Sequence, residues 1–241
     1  MKSEKMFAAA CVATVATLGV TQSAVAGVFT DWDVPGVVTS SSLSPVSDYM
    51  PNSGAEYMWY CGPSASTCDA TSGATAVQFQ MSFSLPAATG DRLYRYGSIS
   101  IVADDYFALY INKKLVTESW LDDRNAATSI NLDPYLLLGQ TYTIDIFACD
   151  GYKVAGKSAG VTADGGFDGC ANTEQRVNHW LLVDGTYTVE YNTPGGAVLA
   201  QADFRSGEYS SWQVRAVPEP ASGALVVFGL CGLLGIFRPR R

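Results

Sequence analysis

The feature that most constrains the fold of this chain is a strict alternation of apolar and polar side chains from Val77 to Leu85, within the segment Ala76 to Pro86. Glutamine or serine separates the apolar residues Val77, Phe79, Met81, Phe83 and Leu85. Successive side chains of a β-strand point to opposite faces, so this pattern predicts a strand with one face buried and the other in water. The sequence between residues 27 and 216 has no long segment of helical periodicity, which favours a fold made of strands.

The same period-two pattern recurs in the centre of the chain. It predicts strands over 98–103 and 106–111, joined at Asp104-Asp105. Asn112-Lys113-Lys114 then predicts a tight turn into a third strand, because asparagine tolerates the backbone angles that tight turns need. The sequence thus predicts three consecutive strands joined by short turns.

The later part of the chain continues the pattern. Asp184-Gly185 predicts a hairpin that divides the segment 179–191. Further strands are predicted before Pro134 and over 141–148, 197–204 and 212–215. With eight to ten strands, the fold class is all-β, and we expect one antiparallel, jelly-roll-like β-sandwich over residues 27–216.

The run from Phe83 to Asp150 also resembles a known family of modules. Its pattern is F-x-L-P, then I-x-I-x-A-D-D-Y-x-A-L-Y-I-N-x-K, then L-x-x-G-x-T-Y-x-I-D-I-x-A-x-D. This is similar to the galactose-binding-like jelly roll of bacterial surface and glycosidase-associated modules. Asn112-Lys113-Lys114 departs from the Asn-Gly turn that is usual there. The resemblance implies a jelly-roll sandwich.

The first 26 residues have the features of a secretory signal peptide. Lys2 and Lys5 precede a mostly apolar run over 6–20, and Ala24-Val25-Ala26 follows. A buried amphipathic helix is the alternative, but this run is apolar all round, short, and ends in small residues. We therefore expect cleavage between Ala26 and Gly27, and export.

The C-terminal end has a second apolar run. Ala221 to Phe237 has no charged residue, and as a helix it would be about 25 Å long at ~1.5 Å per residue, barely enough to cross a bilayer. Arg238, Arg240 and Arg241 follow it and favour a cytoplasmic end. The run is therefore predicted to be a permanent anchor, a core helix or a sorting signal, and a core helix would hardly place all of its charge after its last turn.

The motif before this run resembles a sorting signal. Val217-Pro218-Glu219-Pro220, an apolar span and a basic tail are together similar to the PEP-CTERM signal of exopolysaccharide-producing Gram-negative bacteria. The resemblance implies processing by exosortase after signal peptidase has acted, with transient anchoring in the inner membrane. It also implies a final place at the cell surface or in the extracellular matrix. The basic cluster is interrupted by Pro239, and the signal occupies residues 217–241.

The net negative charge of the exported part argues against nucleic acid as a partner. Residues 27–220 contain ten Lys and Arg against twenty-two Asp and Glu, a net charge of −12. Nucleic acid rewards basic patches, so it is not an expected partner. An acidic polysaccharide would need a divalent cation to bridge it to this chain.

Four cysteines lie in the exported part, namely Cys61, Cys68, Cys149 and Cys170. An even number in an oxidising compartment predicts two disulfides. Three pairings are possible, and we favour Cys61 with Cys68 and Cys149 with Cys170 because each closes a local loop. Zinc is the alternative, but the chain has a single histidine and no C-x-x-C motif.

Paired carboxylates give a candidate calcium site. Asp104 and Asp105 share a predicted turn, and Asp164 and Asp168 lie in the glycine-rich segment 163–170. Carboxylate oxygens are the ligands that Ca²⁺ prefers. The alternative is that these residues form turns and cap the backbone, because aspartate favours such positions. The sequence establishes no cofactor, and Ca²⁺ is the candidate that it suggests.

A candidate glycan-binding site follows the third central strand. Trp120, Asp122, Asp123 and Arg124 would offer an aromatic ring, two acceptors and a guanidinium donor in one short segment. The alternative is that Trp120 covers an end of the sandwich while Arg124 forms a surface ion pair.

No catalytic motif accompanies these residues. His179 is the single histidine, and no G-x-S-x-G motif is present. We therefore expect a non-enzymatic exported module associated with exopolysaccharide and biofilm, which binds a glycan or a matrix protein. The alternatives are a glycan-active hydrolase, with two carboxylates contributed by distant loops, and a purely structural matrix protein.

Overall fold

The computed structural model describes residues 32–39, 43–63, 65–69, 76–87, 93–120, 127–149, 179–191, 195–207 and 210–217, and four two-residue strands between 152 and 171. Within these ranges the regular elements are strands, except for the short helix α1, Val46–Tyr49. The prediction of an all-β fold is confirmed. The signal peptide and the tail beyond Val217 lie outside the described residues.

Five antiparallel strands form one sheet, in the order β16-β4-β9-β6-β7. Their bounds are β4, Ala76–Ser84; β6, Tyr106–Ile111; β7, Lys114–Trp120; β9, Thr141–Cys149; and β16, Gln213–Ala216. The predicted strand over 106–111 is confirmed at both ends. The predicted strand over 141–148 extends by one residue.

A seven-stranded sheet forms the second layer, in the order β3-β1-β2-β14-β5-β8, with β15 also paired to β14. Its strands are β1, Gly36–Thr39; β2, Met58–Trp59; β3, Thr67–Asp69; β5, Leu93–Ala103; β8, Thr128–Asn131; β14, Leu181–Tyr191; and β15, Val198–Asp203. All its pairs are antiparallel except β1 with β3. Two small ribbons pair β10, Tyr152–Lys153, with β13, Cys170–Ala171, and β11, Gly160–Val161, with β12, Phe167–Asp168.

The core lies between the two sheets, as the alternation predicts. Val77, Phe79 and Met81 of β4 are buried. They belong to one apolar cluster with inward residues of the other sheet, such as Ile99 and Val189. At ~25 cal/mol per Å² of apolar surface buried, such a cluster is the main stabilising term of the fold. The antiparallel β-sandwich is therefore confirmed.

The predicted hairpin at Asp184-Gly185 is wrong. β14 runs without a turn through both residues and pairs with β5 from Leu181 to Tyr191. Gly185 has φ +147°, and a Cβ atom there would lie 2.2 Å from the carbonyl oxygen of Ser98. The glycine therefore serves the close approach of two strands, and the Asp184 carboxylate accepts a hydrogen bond from the Gly185 N–H.

The tight turn predicted at Asn112-Lys113-Lys114 is confirmed at its first two residues, whereas Lys114 is already the first residue of β7. Asn112 and Lys113 have φ +47° and +65°, the left-handed conformation that both central residues of a type I′ hairpin turn adopt. The Asn112 side chain accepts a hydrogen bond from Thr143 N–H at 2.9 Å, which ties the turn to β9. A lysine therefore occupies a position where most hairpins of this type have glycine.

One predicted disulfide is confirmed. Cys61 and Cys68 are bonded, with an S–S distance of 2.05 Å, and they connect the end of β2 to β3. Cys149 is also disulfide-bonded. The side chain of Cys170 lies outside the described residues, so the pairing of Cys149 with Cys170 stays a prediction.

The Lys113→Gly substitution is expected to stabilise the protein by about 1 kcal/mol, because glycine adopts the left-handed conformation without the steric cost of a Cβ atom. Lys114→Gly is the matched control, since it removes the same charge from the adjacent residue, which lies in strand β7. The control is expected to destabilise by roughly 0.5–1 kcal/mol. Urea denaturation with the disulfides intact measures both changes. Equal shifts in the same direction would contradict the turn assignment.

Candidate ligand-binding groove

The outer face of the seven-stranded sheet has two rows of polar side chains that run across its strands. In the first row Ser98 of β5 lies between Asn131 and Thr186 of the neighbouring strands, and Asp203 of β15 follows Thr186. In the second row Ser100 lies between Ser129 and Asp184. The intervening residues of β5 and β14, such as Ile99 and Tyr187, are buried in the core. Alternation therefore directs these hydroxyl, amide and carboxylate groups away from the core.

The segment that follows β1 forms a wall over these rows. An open cavity of about 450 Å³ lies here. One side is lined by Tyr49, Met50, Pro51 and Ser53, and the floor includes Ser98, Ser100, Asp184, Gly185 and Thr186. The Tyr49 ring packs 5.1 Å from the buried Trp180 ring. The wall is thus held by aromatic packing, and we call this cavity the polar groove.

Tyr57 also holds this wall in place, through its hydroxyl group and its ring. Its hydroxyl donates a hydrogen bond to the Ser44 carbonyl at 2.6 Å, and its ring packs edge-on against Trp180. Burial, chiefly, raises the pKa of Tyr57, and nearby Tyr49 and Asp48 act in the same direction. The phenol therefore stays a neutral hydrogen-bond donor at physiological pH.

A second cavity of about 410 Å³ lies beside the groove. It is lined by Gly54, Glu56, Asp203, Arg205, Ser206, Gly207, Ser210 and Ser211. Arg205 Nε lies 3.7 Å from Asp184 Oδ1, so an ion pair joins a lining residue of one cavity to a lining residue of the other. A Cβ atom on Gly54 would lie 3.4 Å from the Arg205 guanidinium, which shows how closely the wall approaches it.

Ser206 helps to position Glu56 and Arg205, two of the three charged residues that line the second cavity. Its hydroxyl donates to the Glu56 carbonyl at 2.8 Å and accepts from Val183 N–H at 3.0 Å. The backbone N–H of Arg205 donates to Asp203 Oδ1 at 2.9 Å. These bonds fasten the loop after β15 to β14, and Arg205 lies on that loop.

The groove and its edge combine hydroxyl, carboxylate and guanidinium groups. Hydroxyl groups both donate and accept hydrogen bonds, carboxylates accept them, and a guanidinium donates up to five. The Arg205 and Asp184 side chains are 51% and 27% exposed, so their ion pair adds little stability but stays open to a ligand. The arrangement offers both hydrogen-bond donors and hydrogen-bond acceptors to a polar ligand.

A second polar network lies on the outer face of the other sheet. Gln78 and Gln80 donate to Asp145 Oδ1 at 2.8 Å, and Arg215 donates twice to Gln78. The guanidinium also lies 4.5 Å from the centre of the Trp32 ring. Burial lowers the pKa of Arg215, while Asp145 acts in the opposite direction. Gln78 and Asp145 are buried, so this network bonds mainly within itself and stabilises the sheet.

The predicted glycan-binding residues lie largely outside the described part. Trp120 ends β7, where its backbone lies opposite Tyr106, and nothing further is described of its side chain. Asp122, Asp123 and Arg124 lie outside the described residues. Three other aromatic residues, Trp59, Tyr60 and Trp180, are buried in the core.

The predicted calcium ligands are described only in part. Asp104 and Asp105 form the turn between β5 and β6, where their N–H groups donate to the carbonyls of Trp180 and Cys149 at 3.1 and 3.2 Å. The side chain of Asp168 and all of Asp164 lie outside the described residues. Among the described residues no three His, Cys, Asp or Glu side chains come together as a metal site. Calcium binding stays a prediction.

The groove residues were not predicted from the sequence. Ser98, Ser100 and Thr186 are single polar residues in strands. Only the register that aligns β5 with β14 brings them together in one site. The one local indication of the groove was Asp184, a charged residue that directly follows an apolar run. The sequence predicted a turn at this residue. His179, the single histidine, is buried and stacks on Trp59, with ring centres 5.8 Å apart.

The start of the sorting motif belongs to the folded domain. Val217 is 4% exposed, and its N–H donates to the Ala76 carbonyl at 2.9 Å. Pro218, Glu219, Pro220 and the three tail arginines lie outside the described residues, as do Ala26 and Gly27. Within the described part of the chain, no helix is long and apolar enough to cross a membrane.

Comparison with solved structures finds likeness to parts of larger glycosidases. Streptomyces avermitilis α-L-rhamnosidase complexed with L-rhamnose gives a TM-score of 0.39 at 15% identity, over 71% of this chain and 13% of that chain. The GH78 family rhamnosidase of Bacillus sp. GL1 gives 0.31 at 18% identity, over 58% and 12%. Ruminococcus gnavus β-glucuronidase gives 0.27 at 9% identity, over 60% and 30%. The chain thus spans less than a third of each of these proteins.

Two sequence comparisons give different outcomes. The comparison with curated proteins finds no match. The C-terminal residues 216–241 match the family model described as the PEP-CTERM protein-sorting motif. The chain therefore carries a PEP-CTERM sorting motif at its C-terminal end, which indicates an exported protein that is sorted by exosortase.

Proposed function

We propose that this protein is a non-catalytic glycan-binding module of the cell surface or extracellular matrix, and that the polar groove binds the glycan. The observation that carries the proposal is the pair of cross-strand polar rows beneath the Tyr49 wall, with the Asp184–Arg205 ion pair at their edge. The sorting motif supports a place outside the cell, where glycans are abundant.

The negative charge of the protein and of its cavities favours a neutral glycan over an anionic one. Residues 27–220 have a net charge of −12, and Asp184, Asp203 and Glu56 line the two cavities. A uronate or sulfate group would be repelled by these carboxylates unless a divalent cation lay between them. The groove therefore favours a neutral glycan that presents vicinal hydroxyls.

Thr186→Val is expected to weaken glycan binding by roughly three- to tenfold, because it removes one hydrogen-bonding hydroxyl at nearly constant volume. Asp184→Asn is expected to weaken it at least as much, since it also breaks the ion pair with Arg205. Thr141→Val is the matched control, because Thr141 lies on the outer face of the other sheet. Glycan-array binding followed by calorimetry with the best neutral glycan measures the effects.

Three outcomes of that experiment bear on the proposal. Binding that is lost in the groove variants and kept in Thr141→Val supports it. Release of reducing ends from a bound glycan would replace it with a glycan-active hydrolase. Concentration-dependent assembly without glycan binding would replace it with a structural matrix protein.

Processing at both ends is expected in the native host. The protein recovered from the extracellular fraction should lack residues up to Ala26 and the tail after the Pro218–Pro220 region, and the membrane fraction should contain a form that still has the tail. Intact mass spectrometry measures this, and reduction should add two hydrogens for each disulfide. An extracellular form that retains Arg241 would contradict processing by exosortase.

A further inference from the structure

Val217 belongs both to the sorting motif and to the folded sandwich. Its side chain lies in an apolar cluster that is separate from the main core, together with Ala76, Tyr106, Phe147 and Cys149. Its backbone extends the pairing of β16 with β4, since Val217 N–H donates to the Ala76 carbonyl at 2.9 Å. The fold therefore extends to the residue that directly precedes Pro218, and no spacer separates β16 from the Pro-Glu-Pro triplet.

The distance from this residue to the apolar span is short. Only Pro218, Glu219 and Pro220 separate Val217 from Ala221, where the uncharged span begins. Four residue steps of fully extended chain reach at most about 14 Å, at ~3.3–3.6 Å per residue. The polar region of a bilayer leaflet is itself roughly 5–7 Å deep. A sandwich attached in this way cannot move far from the membrane that holds the span.

The strand register shows which end of the sandwich is tethered. Ala76 lies opposite Cys149, and Asp105 N–H donates to the Cys149 carbonyl at 3.2 Å. The Asp104-Asp105 turn is therefore at the same end as Val217. The Asn112-Lys113 turn is at the other end of β6, about 20 Å away at ~3.3 Å per residue.

We infer that, before processing, the end of the sandwich that carries Val217 and the Asp104-Asp105 turn rests on the outer surface of the inner membrane, against lipid headgroups. The inference rests on the sorting route given under Proposed function. The Asp104-Asp105 turn at this end is acidic, so anionic lipid would not attract it. The contact with the membrane is therefore imposed by the short tether. The processed protein, which lacks the tether, leaves the surface.

Dyes attached at the two ends of β6 test this orientation. In a Cys231→Ser background, Asp105→Cys and Lys113→Cys each receive the same dye. The protein that has lost its signal peptide but retains its C-terminal tail is reconstituted in vesicles of phosphatidylethanolamine and phosphatidylglycerol. The vesicles also contain a lipid with a nitroxide on its headgroup. We expect the dye at position 105 to be quenched several-fold more than the dye at position 113. Equal quenching at both positions, in protein that floats with the vesicles, overturns the inference.

Glu118→Cys gives a second reporter if the Asp105 variant does not fold. Glu118 is exposed on β7, opposite Ala108, so its distance from the tethered end is intermediate. Its dye should be quenched more than the dye at position 113. Flotation of the vesicles reports the anchoring separately. Protein that fails to float overturns the sorting route, and the orientation with it.

A spacer variant separates the tether from other causes of contact. A flexible insertion of about 20 Gly and Ser residues between Val217 and Pro218 adds roughly 25 Å of average reach. Quenching at position 105 should then fall to the level at position 113, while flotation is unchanged. The protein without its tail should not bind the same vesicles. Unchanged quenching with the spacer, or vesicle binding by the tailless protein, would show a surface affinity for lipid and overturn the role given to the tether.

Discussion

The close approach of β5 and β14 is the constraint on which the rest of the structure depends. The two strands pair over eleven positions, from Leu181 opposite Ala103 to Tyr191 opposite Leu93. Each has a glycine where the other comes nearest: a Cβ atom on Gly97 would lie 2.3 Å from the Thr186 carbonyl oxygen, and one on Gly185 would lie 2.2 Å from that of Ser98. The same register that needs these glycines places Ser98 beside Thr186 and creates the floor of the groove.

The sequence predicted the elements of the fold better than their arrangement. Alternation in β4 identified a half-buried strand because Val77, Phe79 and Met81 obey a local rule that needs no partner. Asp184-Gly185 was misread because the same dipeptide suits a turn and a tight strand contact, and only the pairing with β5 distinguishes them. The groove could not be predicted for a similar reason, since the register of β5, β8 and β14 decides which serines and threonines share a row.

The sorting signal was predictable for the opposite reason. The signal is defined by the order of its parts along the sequence, so it can be recognised without the fold. These parts are Val217-Pro218-Glu219-Pro220, the apolar span and the arginines. The burial of Val217 was not predictable, because it follows from the position of β16 beside β4 and from the side chains of Tyr106 and Phe147. The matched motif thus shares its first two residues, Ala216 and Val217, with the domain that it sorts.

The start of the described chain also lies against its last strand. Asp33 and Val214 exchange two backbone hydrogen bonds of 2.8 Å, on the side of β16 that faces away from β4. An edge strand presents unpaired N–H and C=O groups that can recruit a strand from another molecule. The residues around Asp33 therefore cover one edge of the sheet. Removing them would expose the backbone groups of β16 to strands of other molecules.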